Sequence, residues 1–126
     1  MRKAYVFVTA TLILLIAGAC KYDEVFPLEP DPGVEVSFTN DIIPIFNGSC
    51  NLSGCHNGSG PSPDLRPVAA YDALWNGNYI DTLMPAQSEL YLWMSGARGI
   101  PMPLEGVNAT FASNVLQWIE QGALDN

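Results

Sequence analysis

The chain has 126 residues and a strong acidic bias, with 13 Asp and Glu against 5 Lys and Arg and a formal net charge of −8. Such a surface repels polyanions, which disfavours nucleic acid and anionic lipid surfaces as partners. One histidine and three cysteines leave few groups for acid–base or nucleophilic chemistry.

At the amino end Arg2 and Lys3 precede an apolar run from Ala4 to Ile16, too short to span a bilayer comfortably, so residues 1–19 read as an export signal that is removed. Ala17-Gly-Ala-Cys20 resembles a bacterial lipobox, which makes Cys20 the expected site of lipidation; the alternative is an ordinary signal peptide with a spare cysteine near its cleavage site. Lys21-Tyr-Asp-Glu24 lacks an aspartate at the second mature position and resembles the lysine-plus-acid signals of Bacteroidetes-type surface lipoproteins. The implied location is the cell envelope, on the outer membrane, facing the periplasm or the cell surface.

Residues 20–37 form the lipidated cysteine and a tether with Pro27, Pro30 and Pro32 and no apolar period. In polyproline geometry the tether would hold the rest of the chain on the order of 50 Å from the lipid. In the mature chain Lys21, Arg66 and Arg98 oppose all 13 acids, for a net charge of −10. The remainder, 38–126, is one small domain, near the size at which an apolar core alone supplies little stability and a buried prosthetic group would help.

Within that domain Ile42, Ile43, Ile45 and Phe46 predict a short amphipathic helix capped by Asp41, with Pro44 at its third position, where the missing donor costs nothing. Next comes Cys50-Asn-Leu-Ser-Gly-Cys55-His56. Two thiols with an imidazole directly after the second suit covalent attachment of a haem, each thiol adding to one vinyl group and His56 reaching the iron. Four residues separate the cysteines rather than the usual two. They must bulge away from the porphyrin edge, and Gly54 and Asn51 tolerate the left-handed dihedrals a bulge needs. The competing readings are a Cys50–Cys55 disulfide and a zinc site, the latter one protein ligand short.

Asn57 to Pro63 is loop, and Val68, Tyr71, Leu74 and Trp75 predict a helix over 67–76 that Gly77 stops. A third helix is expected after Ser88 as N-cap, with Glu89 in its first turn and Leu90, Tyr91, Trp93 and Met94 as its apolar surface, ending near Gly96. Gly99-Ile-Pro-Met-Pro-Leu104 has no period. The last helix runs from Ala109 or Thr110 to Gln121, with Phe111, Val115, Trp118 and Ile119 on one face and Gly122 after it. The fold class is all-α, with four short helices.

These features together resemble the small class I-like cytochrome c domain of Bacteroidetes and Planctomycetes envelope lipoproteins. The resemblance covers Phe38 to Ala123 and is carried by Asp41-Ile-Ile-Pro-Ile-Phe46, the wide haem motif, Ser88-Glu-Leu-Tyr91, Met102-Pro103 and Trp118-Ile-Glu-Gln-Gly-Ala123. It implies a cytochrome c-like fold around one covalent haem c, with Phe46 meeting Trp118 or Val115. Cys50 and Cys55 would carry the haem and His56 would be the proximal ligand. Met102, on the aperiodic loop before the last helix, would be the distal ligand. Met84, also followed by proline, is the alternative, and Met94 fits plain core packing.

Pro63-Asp-Leu65 resembles the turn whose carbonyl, from Pro63, accepts the other ring N–H of the proximal histidine. Arg66, Arg98, Tyr79 and Trp93 are candidates for the haem propionates, with solvated surface or packing as equal alternatives. The implied function is electron transfer with redox partner proteins that bear basic docking surfaces, the lipid being the membrane contact. With the one histidine claimed by iron, no base remains for a hydrolytic triad, so no enzyme activity is expected. Two other functions stay open: a five-coordinate haem that binds gases or peroxide, and a haem-free surface lipoprotein closed by a disulfide.

Overall fold

The computed structural model describes residues 33–126; the expected signal segment, Cys20 and the expected tether up to residue 32 lie outside the described residues. Among the described residues all regular structure is helical, and no helix is long and apolar enough to cross a membrane. The α-helices are α1 (Ile43–Ser49), α2 (Ala70–Asn76), α3 (Glu89–Met94) and α4 (Ala109–Glu120), with a π-helical turn over Phe38–Ile42 and a 3-10 turn over Pro85–Gln87.

The first helical segment starts earlier than its apolar spacing suggests. Ser37, not Asp41, is the cap: its hydroxyl accepts from the Asn40 N–H at 3.1 Å, while Asp41 reaches back to accept from the Ser37 N–H at 2.8 Å. This is a reciprocal capping arrangement, and it satisfies two donors where a lone cap would satisfy one. Between cap and α1 the backbone widens into the π register, with the Ile43 N–H bonded to the Phe38 carbonyl. Pro44 explains the widening, because its ring crowds the carbonyl one turn back and it has no N–H to hold an α register there.

Around α2 the sequence expectation needs correction. The helix begins at Ala70, and Val68 is 88% exposed rather than part of the apolar face. Pro67 to Ala69 form a turn instead, whose Ala69 and Ala70 N–H groups both bond the Arg66 carbonyl. Ala70 and Leu74 are the residues that α2 buries. Ser88 does precede α3, but its hydroxyl does not cap it; it accepts from the Asp81 N–H at 2.8 Å and donates to the Asp81 carbonyl at 3.2 Å, clasping the loop before the helix. The last helix matches its pattern closely: Asn108 caps it through Phe111 N–H, and Gly122 follows at φ 100°.

The core is a single cluster in which Phe38 is central. Its ring stacks on Trp118 at 5.0 Å and meets the edges of Tyr71 at 5.3 Å and Phe46 at 6.4 Å. The first and last helical segments therefore meet through Phe38, which lies a full helical turn and more before the expected contact residue Phe46. Trp118 is 1% exposed and its indole N–H donates to the Leu124 carbonyl at 2.9 Å.

Residues 34–37, expected at the end of the tether, lie along α4. Gln121 accepts from the Val36 N–H, and both Gln117 and Gln121 donate to the Val34 carbonyl, each at 2.9 Å. Asn126 closes the same seam from the other end, accepting from the Phe38 N–H at 2.8 Å through its side chain and from the Thr39 N–H at 2.9 Å through its backbone. The two ends of the domain are thus held together beside the Phe38–Trp118 stack. The other side of the bundle is left to the loops after α1 and α3.

Candidate functional site

Those loops enclose a cavity of about 400 Å³, a size typical of small-molecule and cofactor sites. One wall is the segment after α1. The residues between the two cysteines fold into a bulge, with the Cys55 N–H bonded to the Leu52 carbonyl at 2.9 Å and the His56 N–H to the Cys50 carbonyl at 3.0 Å. Of the two residues expected to relieve the bulge by a left-handed backbone, only Gly54 does so, at φ 81°. Asn51 acts through its side chain, donating to Asn47 Oδ1 at 2.7 Å and to the Leu65 carbonyl at 3.2 Å. That cross-link ties the bulge to the far end of the next loop.

Cys50, Cys55 and His56 all line the cavity, and both cysteines are free thiols. Cys50 is the more buried. Burial first, then Cys55 and Glu105, pushes its thiol up to about 11. Among the described residues no three His, Cys, Asp or Glu side chains converge as a metal-binding group, so the two thiols and His56 do not form a ready zinc site.

The loop after His56 is built to orient the imidazole. His56 Nδ1 lies 3.0 Å from the Pro61 carbonyl and 3.1 Å from the Pro63 carbonyl. Both partners are acceptors, so Nδ1 carries the proton and donates to them, which leaves the lone pair on Nε2. The Pro63 carbonyl named from the sequence is one of these two partners; Pro61 is an additional acceptor that no sequence signal marked, since a backbone carbonyl has no side-chain signature. Gly60 makes the loop possible, for a Cβ there would sit 1.7 Å from the Cys55 carbonyl oxygen.

Across the cavity are α3 and the loop after it. Met102 lines the wall, and its N–H donates to the Trp93 carbonyl at 3.0 Å, which fixes its backbone to α3. Met94 reaches the same wall but is 3% exposed and belongs to the core cluster. Met84 does not line the cavity; it is 59% exposed on a turn whose Leu83 and Met84 N–H groups both donate to Asp81 Oδ1. The structure therefore brings Met102 together with Cys50, Cys55 and His56, and leaves Met84 outside.

Comparison with protein-family models, curated proteins and solved structures returns no match for this chain. What the site can do must come from its own chemistry.

The four residues considered for propionates divide in the same way. Tyr79 and Trp93 lie on the cavity wall. Arg66 instead forms an ion pair with Asp64 at 2.6 Å, holding that carboxyl below its usual range through their hydrogen bonds, and Arg98 pairs with Glu89. Neither arginine lines the cavity. Leu52, Leu104 and Glu105 do, and the sequence pattern missed all three. Leu52 falls inside the bulge and the other two on an aperiodic loop, where neither helical nor strand spacing can single out a residue. A second, smaller cavity of about 220 Å³ lies by Phe38, Tyr71 and Asp125 and holds neither thiol nor imidazole.

Three observations bear on whether the larger cavity could hold a haem. Most of the wall is apolar, with Leu52, Leu65, Leu90, Met94 and Leu104 among its residues. Two thiols stand on the same wall as an imidazole whose Nδ1 is already engaged. Among the described residues no buried side-chain N or O atom lacks a hydrogen-bond partner, so the cavity makes no unmet demand for a polar ligand.

Proposed function

We propose that this domain is a monohaem c-type cytochrome with a cytochrome c-like fold, and that it relays single electrons. The observation that carries the reading is the convergence of Cys50, Cys55, His56 and Met102 on one largely apolar cavity, with Met84 outside it.

Cys50 and Cys55 would hold the group covalently, His56 would be the proximal iron ligand and Met102 the distal one. When bound, haem supplies a one-electron couple at its iron, and the protein supplies orientation, exclusion of water and electrostatics. The Pro61 and Pro63 carbonyls fix the His56 ring and make it a stronger donor. The Met102 backbone is fixed by the Trp93 carbonyl, so the side chain is presented with little further loss of entropy. Leu52 and Leu104, both exposed on the cavity wall, would supply apolar surface against a bound group. Of the four residues considered for propionates, Tyr79 and Trp93 are the two on the wall, and each carries a donor.

The mature chain, anchored through Cys20 in the cell envelope, would meet redox partners by long-range attraction. With a net charge of −10, it suits partners with basic docking surfaces.

Spectroelectrochemical titration of the exported domain tests the reading. A single reversible one-electron transition without ready binding of carbon monoxide supports electron transfer. Rapid carbon monoxide binding by the parent protein favours a five-coordinate gas-binding haem instead, and a protein with no haem and a Cys50–Cys55 disulfide favours a binding or assembly module.

A further inference from the structure

The cavity wall carries one charged side chain among the described residues, and it is an acid. Glu105 lines the cavity three residues after Met102, and the Gly106 N–H donated to the Pro103 carbonyl at 3.0 Å fixes the turn that presents it. No cation offsets it, because the two arginines of the described residues are held by Asp64 and Glu89 away from the wall. The remaining surface does not offset it either: Arg66 and Arg98 face nine acids over residues 33–126, a net of −7.

Resting on the reading of this cavity as a haem site, we propose that Glu105 is the residue that sets its redox bias. Its carboxylate favours the oxidised, more positive iron and makes the domain a lower-potential carrier than the same cavity without that charge. In each cycle a bound haem would accept one electron from a reduced donor protein and give it up to an oxidised acceptor protein. No covalent bond forms or breaks, and the site loses and regains one unit of positive charge. A fixed negative charge on an apolar wall opposes the loss of that positive charge. Glu105 shares this wall with Cys50, whose thiol is pushed up by burial first and then by Cys55 and this carboxylate. Glu105 is itself exposed to solvent, so water and salt reduce the effect without abolishing it.

The test is the midpoint potential of the haem-loaded protein in four forms: the parent, Glu105→Gln, Glu105→Asp and Glu120→Gln. Glu120 is an exposed acid at the end of α4, away from the cavity, and controls for net charge. The expected result is an upward shift for Glu105→Gln, a potential near the parent for Glu105→Asp, and a much smaller shift for Glu120→Gln. The Glu105→Gln shift should shrink as ionic strength rises. The absorption band of methionine-ligated ferric haem should persist in all four.

A Glu105→Gln shift no larger than that of Glu120→Gln overturns the inference. So does an equal shift for Glu105→Asp, or loss of the methionine band in Glu105→Gln, since either makes the residue a structural support. A parent protein without covalent haem removes the cytochrome reading and this inference with it. A haem-loaded parent whose potential is indifferent to Glu105 removes the inference alone.

Discussion

Replacing Met102 by alanine separates the ligand question from stability. The side chain is half-buried on the cavity wall, so truncation loses about half of the ~1.5–3 kcal/mol that a fully buried methionine contributes, or roughly 1 kcal/mol. Alanine keeps the backbone N–H that donates to the Trp93 carbonyl, and the Arg98 N–H still bonds the Leu92 carbonyl. Against a typical domain stability of about 5–15 kcal/mol the variant stays folded. Met84→Ala, at a residue 59% exposed, should change stability by no more than about 0.5 kcal/mol. Met94→Ala removes a core side chain and should cost about 2–5 kcal/mol.

The first two variants can therefore be compared as folded proteins. Haem should stay attached in both. Met102→Ala alone should lose the weak methionine-to-ferric charge-transfer band, lower the reduction potential and bind carbon monoxide in the ferrous state. Optical spectra and carbon monoxide titration of the parent and the two exported variants measure this. If Met84→Ala loses the band and Met102→Ala keeps it, the assignment of the cavity wall is refuted.

Three further outcomes are expected from the same structure. Trp118→Ala removes a fully buried ring that stacks on Phe38 and donates to the Leu124 carbonyl; urea unfolding should show a loss of about 3–5 kcal/mol, and a loss below about 1 kcal/mol would contradict the central place given to that stack. In reduced, haem-free protein near pH 8, iodoacetamide should alkylate Cys55 well before Cys50, whose thiol is buried and raised to about 11. Because that pKa is raised on folding, the associated stability is intact below the unfolded thiol value and is lost as pH rises through about 11; equal alkylation rates would be inconsistent with the burial. Cys20→Ala, which lies outside the described residues, should abolish fatty-acid labelling while leaving haem content unchanged, and persistent labelling would remove the lipobox reading.

Helix placement was legible wherever local chemistry and apolar spacing agreed. The last helix has both an Asn108 cap and a following Gly122, and its bounds differ from the spacing by one residue at the carboxyl end. The first helix was legible in position but not in its start, because Ser37 capping depends on Asp41 reaching backwards and the π turn on the bulk of Pro44. Val68 was misleading for α2, since its spacing is helical but its backbone belongs to the turn ahead of the helix.

At the candidate site, Cys50, Cys55, His56 and the Pro63 carbonyl come together within one short stretch of chain, which is why the sequence could group them. Met102 and Met84 have the same Met-Pro signature, and only the third dimension places one on the wall and the other in solvent. Pro61, Leu52, Leu104 and Glu105 act through loop geometry, which leaves no period to read. Arg66 and Arg98 looked available in the sequence and are held by Asp64 and Glu89 in the structure.

The claim that the cavity is a covalent haem site is tested most directly by the mass of the intact protein after export in a cytochrome-maturing host and full denaturation. The account predicts a mass greater than that of the processed, lipid-modified polypeptide by one haem, with the increment lost when both Cys50 and Cys55 are replaced by alanine. A polypeptide mass without haem and with Cys50 and Cys55 joined to each other would contradict it.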